Sequence, residues 1–83
     1  MARLERWRVR SDLLTRVGEA LYGLRWQKAM AHDLPVSRAA LRRWAARTDE
    51  APADVYVDCI RLVNERMTLL AELLTALEEA ALP

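Results

Sequence analysis

The chain has 83 residues, of which 53% are apolar, and a formal net charge of +1. This length predicts one small domain with little room for a catalytic cleft, and no apolar run is long enough to span a bilayer. The single cysteine, Cys59, excludes an internal disulfide and a zinc site made of several thiolates. Because Gly and Pro are scarce and the N-terminus shows no signal-peptide pattern, we expect an all-α protein of the cytoplasm without metal or other cofactor.

The charges are unevenly distributed along the chain. Residues 1–48 contain eleven Lys or Arg and four Asp or Glu, a net charge of +7, whereas residues 49–83 contain two and eight, a net charge of −6. A basic half of this kind is typical of chains that bind a polyanion. The alternative is that the arginines only solvate exposed helix faces.

The first segment, residues 1–10, is strongly basic. Its arginines alternate with Leu4, Trp7 and Val9. One interpretation is a flexible arm that reaches a nucleic-acid groove or backbone. The other is an extension of the first helix, in which Leu4 and Trp7 cover the core and the arginines face water. Trp7 favours the second interpretation.

The second segment, residues 11–48, is predicted to form a three-helix core. Its first helix runs over roughly 12–22, with Ser11 as N-cap and Gly23 as the stop. Apolar residues at helical spacing define the inward face: Leu13, Leu14, Val17 and Leu21. Gly18 lowers helix propensity relative to alanine, which indicates a close backbone approach to a neighbouring element.

Two shorter helices complete this segment. The second helix runs from about Leu24 or Arg25 to Asp33 and is ended by Pro35. The third covers about 38–47 and is capped by Ser37. The predicted buried residues of the two are Trp26, Ala29, Met30, Leu34, Ala40, Leu41 and Trp44.

The acidic half begins with a linker, residues 49–53, in which Pro52 suits the first position of a helix. Residues 54–83 are then predicted to form one long C-terminal helix. Apolar residues recur there at alternating spacings of four and three, the pattern of a coiled-coil seam. The predicted dimer interface on this seam is Ile60, Val63, Met67, Leu70, Leu74 and Leu77, with Tyr56 and Ala81 at its ends.

A second apolar strip, made of Leu62, Leu69, Leu73 and Ala76, lies beside the seam. One strip can close the local core, so the other is expected to be buried against a second copy in a homodimer. The alternative is a monomer in which the helix folds back on its own core. The acidic residues of this helix are expected to keep it away from phosphate.

Residues 27–44, "QKAMAHDLPVSRAALRRW", resemble the helix-turn-helix of phage repressor and Cro-like regulators, and the resemblance extends over about residues 20–47. The matching positions are Gln27, Ala31, Leu34, Val36, Ser37, Leu41 and Trp44. One residue departs from the pattern: Pro35 stands where the family usually has glycine. Since the proline ring holds φ near about −65°, we expect a rebuilt turn and an altered angle of the third helix.

The resemblance implies a sequence-specific regulator of transcription, a repressor, that binds double-stranded DNA as a homodimer through a major-groove helix. It assigns base contacts to Arg38, Ala39, Arg42 and Arg43. It assigns phosphate contacts to Gln27, Lys28, Ser37 and Arg47. The alternative function is a protein–protein interaction module, antitoxin-like or an adaptor, that uses the long C-terminal helix.

Catalytic chemistry finds little support in the sequence. The only histidine, His32, lies beside Asp33 near a helix end, and Cys59 lies among apolar residues as a small hydrophobe would. There is no phosphate-binding glycine loop and no metal-ligand spacing. We therefore expect no enzyme, no catalytic residue and no small-molecule substrate.

Overall fold

The computed structural model describes the backbone of residues 2–46 and 49–83, and the side chains of residues 12–46 and 49–83. These residues form four α-helices: α1 (Ala2–Tyr22), α2 (Trp26–Asp33), α3 (Arg38–Ala45) and α4 (Ala53–Ala80). The expectation of an all-α fold is confirmed for the described part of the chain. Helix α1 is central, because it packs against each of the other three, while α2 also packs against α3.

Helix α1 is longer than the sequence pattern predicted. It begins at Ala2 rather than near residue 12, so Ser11 lies inside the helix and its predicted N-cap role is wrong. The backbone of residues 2–10 is thus helical and continuous with the core helix. The predicted stop is confirmed: Gly23 has a φ of 86°, and its N–H donates to the Glu19 carbonyl at 2.9 Å.

The close approach predicted at Gly18 is confirmed, and the neighbour is Trp26. A Cβ atom at position 18 would overlap Cδ2 and Cε3 of the indole and would lie 2.8 Å from its Cγ. Trp26 itself is only 3% exposed. Glycine at this position therefore allows the backbone of α1 to lie directly on the first residue of α2.

The core is assembled from all four helices. Its buried apolar members are Leu14, Trp26, Met30, Ala31, Leu34, Leu41, Trp44, Ala51, Val55, Cys59 and Leu62. Most of the predicted inward residues are confirmed, with Ala40 partly buried. Two are wrong: Ala29 is exposed on the outer side of α2, and Leu13 is 38% exposed.

The turn between α2 and α3, residues 34–37, departs from the expectation for proline. Pro35 has a φ of 26°, in the left-handed region, so the turn keeps the backbone shape that glycine normally adopts. The Leu34 N–H donates to the Met30 carbonyl at 2.9 Å, and the Val36 N–H donates to the Ala31 carbonyl at 3.0 Å. The second bond is the outer bond of a Schellman motif. These two bonds close the turn, and the altered angle of the third helix stays a prediction.

Helix α4 begins at Ala53, and Pro52 is its N-cap rather than its first helical residue. It contributes Val55, Cys59 and Leu62 to the core. These residues begin the strip that continues through Leu69 and Leu73, so the other strip, the seam, is left largely exposed. None of the described helices has an apolar stretch of the length needed to cross a membrane.

Candidate functional site

Helix α3 divides its side chains between the core and the surface. Leu41 and Trp44 are buried, whereas the four predicted base-contacting residues, Arg38, Ala39, Arg42 and Arg43, are all exposed. At about 100° per residue, these four fall within roughly 140° of the helix circumference. We call this set the α3 face. It is a convex surface bearing three guanidinium groups and one methyl group.

Ser37 fixes the start of α3. Its backbone is extended, with φ −75° and ψ 149°, and its Oγ accepts a hydrogen bond from the Ala40 N–H at 3.0 Å. The predicted capping role is confirmed. Because Oγ acts as an acceptor in this bond, its own hydroxyl hydrogen is available to donate outward.

The three arginines of the α3 face differ in their surroundings. Arg43 Nε lies 3.8 Å from Asp49 Oδ2, and both side chains are more than half exposed, so this ion pair is weak. Within the described part of the chain, Arg38 and Arg42 form no ion pair. Both guanidinium groups are exposed to solvent.

Two of the predicted phosphate contacts, Gln27 and Lys28, lie in the first turn of α2. Lys28 is exposed and Gln27 half-buried, and the N-cap residue Arg25 makes no side-chain capping bond. Among the described residues, no side chain caps the first N–H groups of α2. The remaining predicted contact, Arg47, lies outside the described residues.

A shallow depression with a volume of about 420 Å³ lies on the outer side of α2. It is lined by Arg25, Lys28, Ala29, His32 and Asp33. The exposed Ala29 leaves room between the cationic side chains, which extends the positive surface from Lys28 to Arg25. The sequence pattern missed this feature because it placed Ala29 in the core.

A polar cluster of Tyr22, Asp33 and Arg66 joins three helices, and sequence analysis did not find it. The Tyr22 hydroxyl donates to Asp33 Oδ2, and the Arg66 guanidinium carbon lies 6.0 Å from the centroid of the Tyr22 ring. Burial, followed by the hydrogen bond to Asp33, raises the pKa of Tyr22 to about 12. The three residues come from α1, α2 and α4 and are far apart in sequence, so no local motif could reveal them.

This cluster predicts a loss of stability at alkaline pH. Since the pKa of Tyr22 rises from 10.0 to about 12 on folding, its stabilising contribution is complete below pH 10 and is lost as the pH rises toward 12. A pH titration followed by phenolate absorbance should show one tyrosine that ionises near pH 12, well above the ordinary value of 10.0. This transition should be absent in Tyr22→Phe. If that variant keeps the late transition, the cluster does not form.

Two residues were considered for catalysis, Cys59 and His32. Burial raises the pKa of the Cys59 thiol, which disfavours the thiolate, and Cys59 is buried as predicted. His32 is exposed on α2. Among the described residues, no three His, Cys, Asp or Glu side chains lie close enough to hold a metal ion.

No family model matches this chain, and comparison with curated proteins and with solved structures gives no match. The geometry of the α3 face and its surroundings is therefore the basis on which a function is proposed.

Proposed function

We propose that this protein binds double-stranded DNA in a sequence-specific manner and regulates transcription as a homodimeric repressor, with α3 in the major groove. The observation that carries the proposal is the α3 face: four residues exposed together on a short capped helix whose opposite side is buried by Leu41 and Trp44. A convex helix of this kind fits the major groove, which is wide enough to admit one α-helix.

The chemistry of the α3 face suits base edges. Arginine can donate two hydrogen bonds to O6 and N7 of guanine, so Arg38 and Arg42 are the principal candidates for reading sequence. Ala39 lies on the same face and can contact a thymine methyl group. Arg43 can also contact the DNA if its guanidinium leaves the exposed ion pair with Asp49 and binds a base or a phosphate instead.

The chemistry around the α3 face suits the DNA backbone. The Ser37 hydroxyl, the Gln27 amide and the Lys28 ammonium are donors that can bind phosphate oxygens. The unpaired N–H groups at the start of α2 carry the positive end of a helix dipole, which also favours an anion. These contacts would position α3 without reading the base sequence.

Fluorescence anisotropy with a labelled duplex, selected from a random-sequence pool, tests the proposal. We expect Arg38→Ala and Arg42→Ala each to weaken binding by about tenfold, because a bidentate guanine contact contributes about 1 to 3 kcal/mol. Arg61→Ala is the matched control, since it removes the same charge from an exposed residue that pairs with Glu65 on α4. Unchanged affinity in both α3 variants would rule out the DNA-binding function.

Salt dependence distinguishes the two classes of contact. The logarithm of the binding constant should fall with the logarithm of salt concentration by about 0.9 per neutralised phosphate. Lys28→Ala should reduce this slope by about one per protomer and weaken all duplexes alike, because a phosphate contact carries no sequence information. A Lys28→Ala variant that changes sequence preference while keeping the wild-type slope would contradict the assignment.

A second candidate function is favoured by the exposed apolar residues of α4. They suit a protein–protein interaction module in which α2 and α3 serve only as scaffold. In that case the arginine variants would keep all their interactions, whereas substitutions on the seam would abolish them. The duplex titration therefore separates the two functions.

A further inference from the structure

The seam of α4 is exposed over most of its length. Ile60 and Met67 are each 61% exposed, Leu74 is 58% exposed and Leu77 is 67% exposed. Monomeric proteins rarely leave so continuous an apolar surface in water. The seam therefore needs a cover that the single chain does not supply.

The spacing of the seam reads the same in both directions. From Tyr56 to Ala81 the intervals are four, three, four, three, four, three and four residues. Two copies of α4 can therefore pair in antiparallel orientation with every seam residue in register. The pairs are Tyr56 with Ala81, Ile60 with Leu77, Val63 with Leu74, and Met67 with Leu70, about a two-fold axis between residues 68 and 69.

A groove between α1 and α4 lies at the position where this register would bring the partner's C-terminal end. It has a volume of about 310 Å³. Its α1 side is formed by Leu13, Leu14 and Val17, and its α4 side by Tyr56, Cys59, Ile60, Val63 and Asn64. The last four seam residues of a second copy would lie along its α4 wall.

The second strip of α4 suits the other wall of the same groove. Leu69 and Leu73 are 49% and 50% exposed, and at about 100° per residue they lie roughly a quarter turn from the seam. A helix that sits between two others needs two apolar strips at about this angle. The seam would face the partner's α4, and the strip would face the partner's α1.

Charge also favours the antiparallel orientation. The C-terminal part of α4 carries Glu72, Glu78 and Glu79 and no basic residue after Arg66. A parallel pair would bring the acidic C-terminal ends of both chains to the same end of the dimer. An antiparallel pair places the two acidic ends far apart and directs each of them toward the partner's basic half. The two helix dipoles are then antiparallel, which is also favourable.

We propose that two chains exchange their C-terminal ends, so that the end of α4 in each protomer lies in the groove between α1 and α4 of the other, with Ile60 opposite the partner's Leu77. The inference rests on the self-association included in the proposed function and is independent of duplex binding. In this arrangement a second copy of the chain covers the seam and the second strip and fills the groove.

Oxidative cross-linking in a Cys59→Ala background tests this register. The double variant Ile60→Cys with Leu77→Cys should form a covalent dimer, because the facing Cβ atoms would come within the roughly 3.5 to 4.5 Å that a disulfide requires. Neither single variant should form one, since each cysteine would face an isoleucine or a leucine. Both positions are exposed in the single chain, so the substitutions should not prevent folding.

Three outcomes would overturn the proposal. Cross-linking of the single Leu77→Cys variant would indicate a parallel pair. A dimer in which the double variant remains uncross-linked would place the interface on another face. A monomer at tens of micromolar in sedimentation would leave the groove for a different protein. Introducing Arg38→Ala and Arg42→Ala should not alter the cross-link, which separates this result from a failure of DNA binding.

Discussion

Gly18→Ala is expected to destabilise the protein by about 3 kcal/mol, although alanine is the better helix former. The added methyl group would overlap the indole of Trp26. Since Trp26 is buried in the core, it cannot move without displacing α2. Urea unfolding followed by circular dichroism measures the effect. A variant as stable as the wild type would show that α1 and α2 do not make this contact.

The second glycine provides a control for this substitution. Gly23→Ala places a methyl group where no atom lies within 4 Å, but at a φ of 86°. Its cost is therefore backbone strain alone, about 1 kcal/mol. A second control is Gly18→Ala combined with Trp26→Leu, in which the smaller side chain makes room for the methyl group. The destabilisation by Gly18→Ala should be smaller in that background, as a double-mutant cycle would detect.

Pro35→Gly is expected to stabilise the protein by about 1 to 2 kcal/mol, an unusual direction for a change from proline to glycine. The turn holds position 35 at a φ of 26°, which strains the pyrrolidine ring and which glycine adopts freely. Glycine also supplies a backbone N–H. In a Schellman motif that N–H donates to the carbonyl three residues earlier, which here belongs to His32.

Pro35→Ala separates the two contributions to this gain. Alanine supplies the N–H but keeps a Cβ atom, so its stability should lie between those of the wild type and Pro35→Gly. Thermal unfolding of the three proteins gives the order. If Pro35→Gly is less stable than the wild type, the strain at position 35 is smaller than expected. The gain from relieving it is then less than the entropy that the unfolded chain gains when the proline ring is removed.

The parts of the fold that depend on local chemistry were predictable. Ser37 caps α3 and Gly23 ends α1, because each acts through its own backbone and its nearest neighbours. The core positions of Met30, Leu41 and Trp44 followed from helical spacing. The start of α1 was predicted only as one of two alternatives, because Ser11 is a good N-cap residue whereas Trp7 favoured the longer helix that is observed.

The features that sequence analysis missed depend on the packing of distant segments. Ala29 has the spacing of a core residue, yet it is exposed, because Trp26, Met30 and Ala31 form the buried side of α2. The bond from Tyr22 to Asp33 and the pair of Arg43 with Asp49 join residues with no shared motif. The four residues assigned to base contact were correctly predicted to be exposed on α3. Helical spacing predicts which residues are exposed, and it does not predict what they bind.

The lengths of α2 and α3 have a consequence for any measurement on this protein. Each has eight residues, fewer than the roughly 12 to 15 that an isolated helix needs to be even marginally stable in water. Both helices therefore stay folded only while α1 is packed against them. The α3 face then unfolds cooperatively with the core. Warming should therefore unfold the α3 face at the same temperature at which α1 detaches from the core.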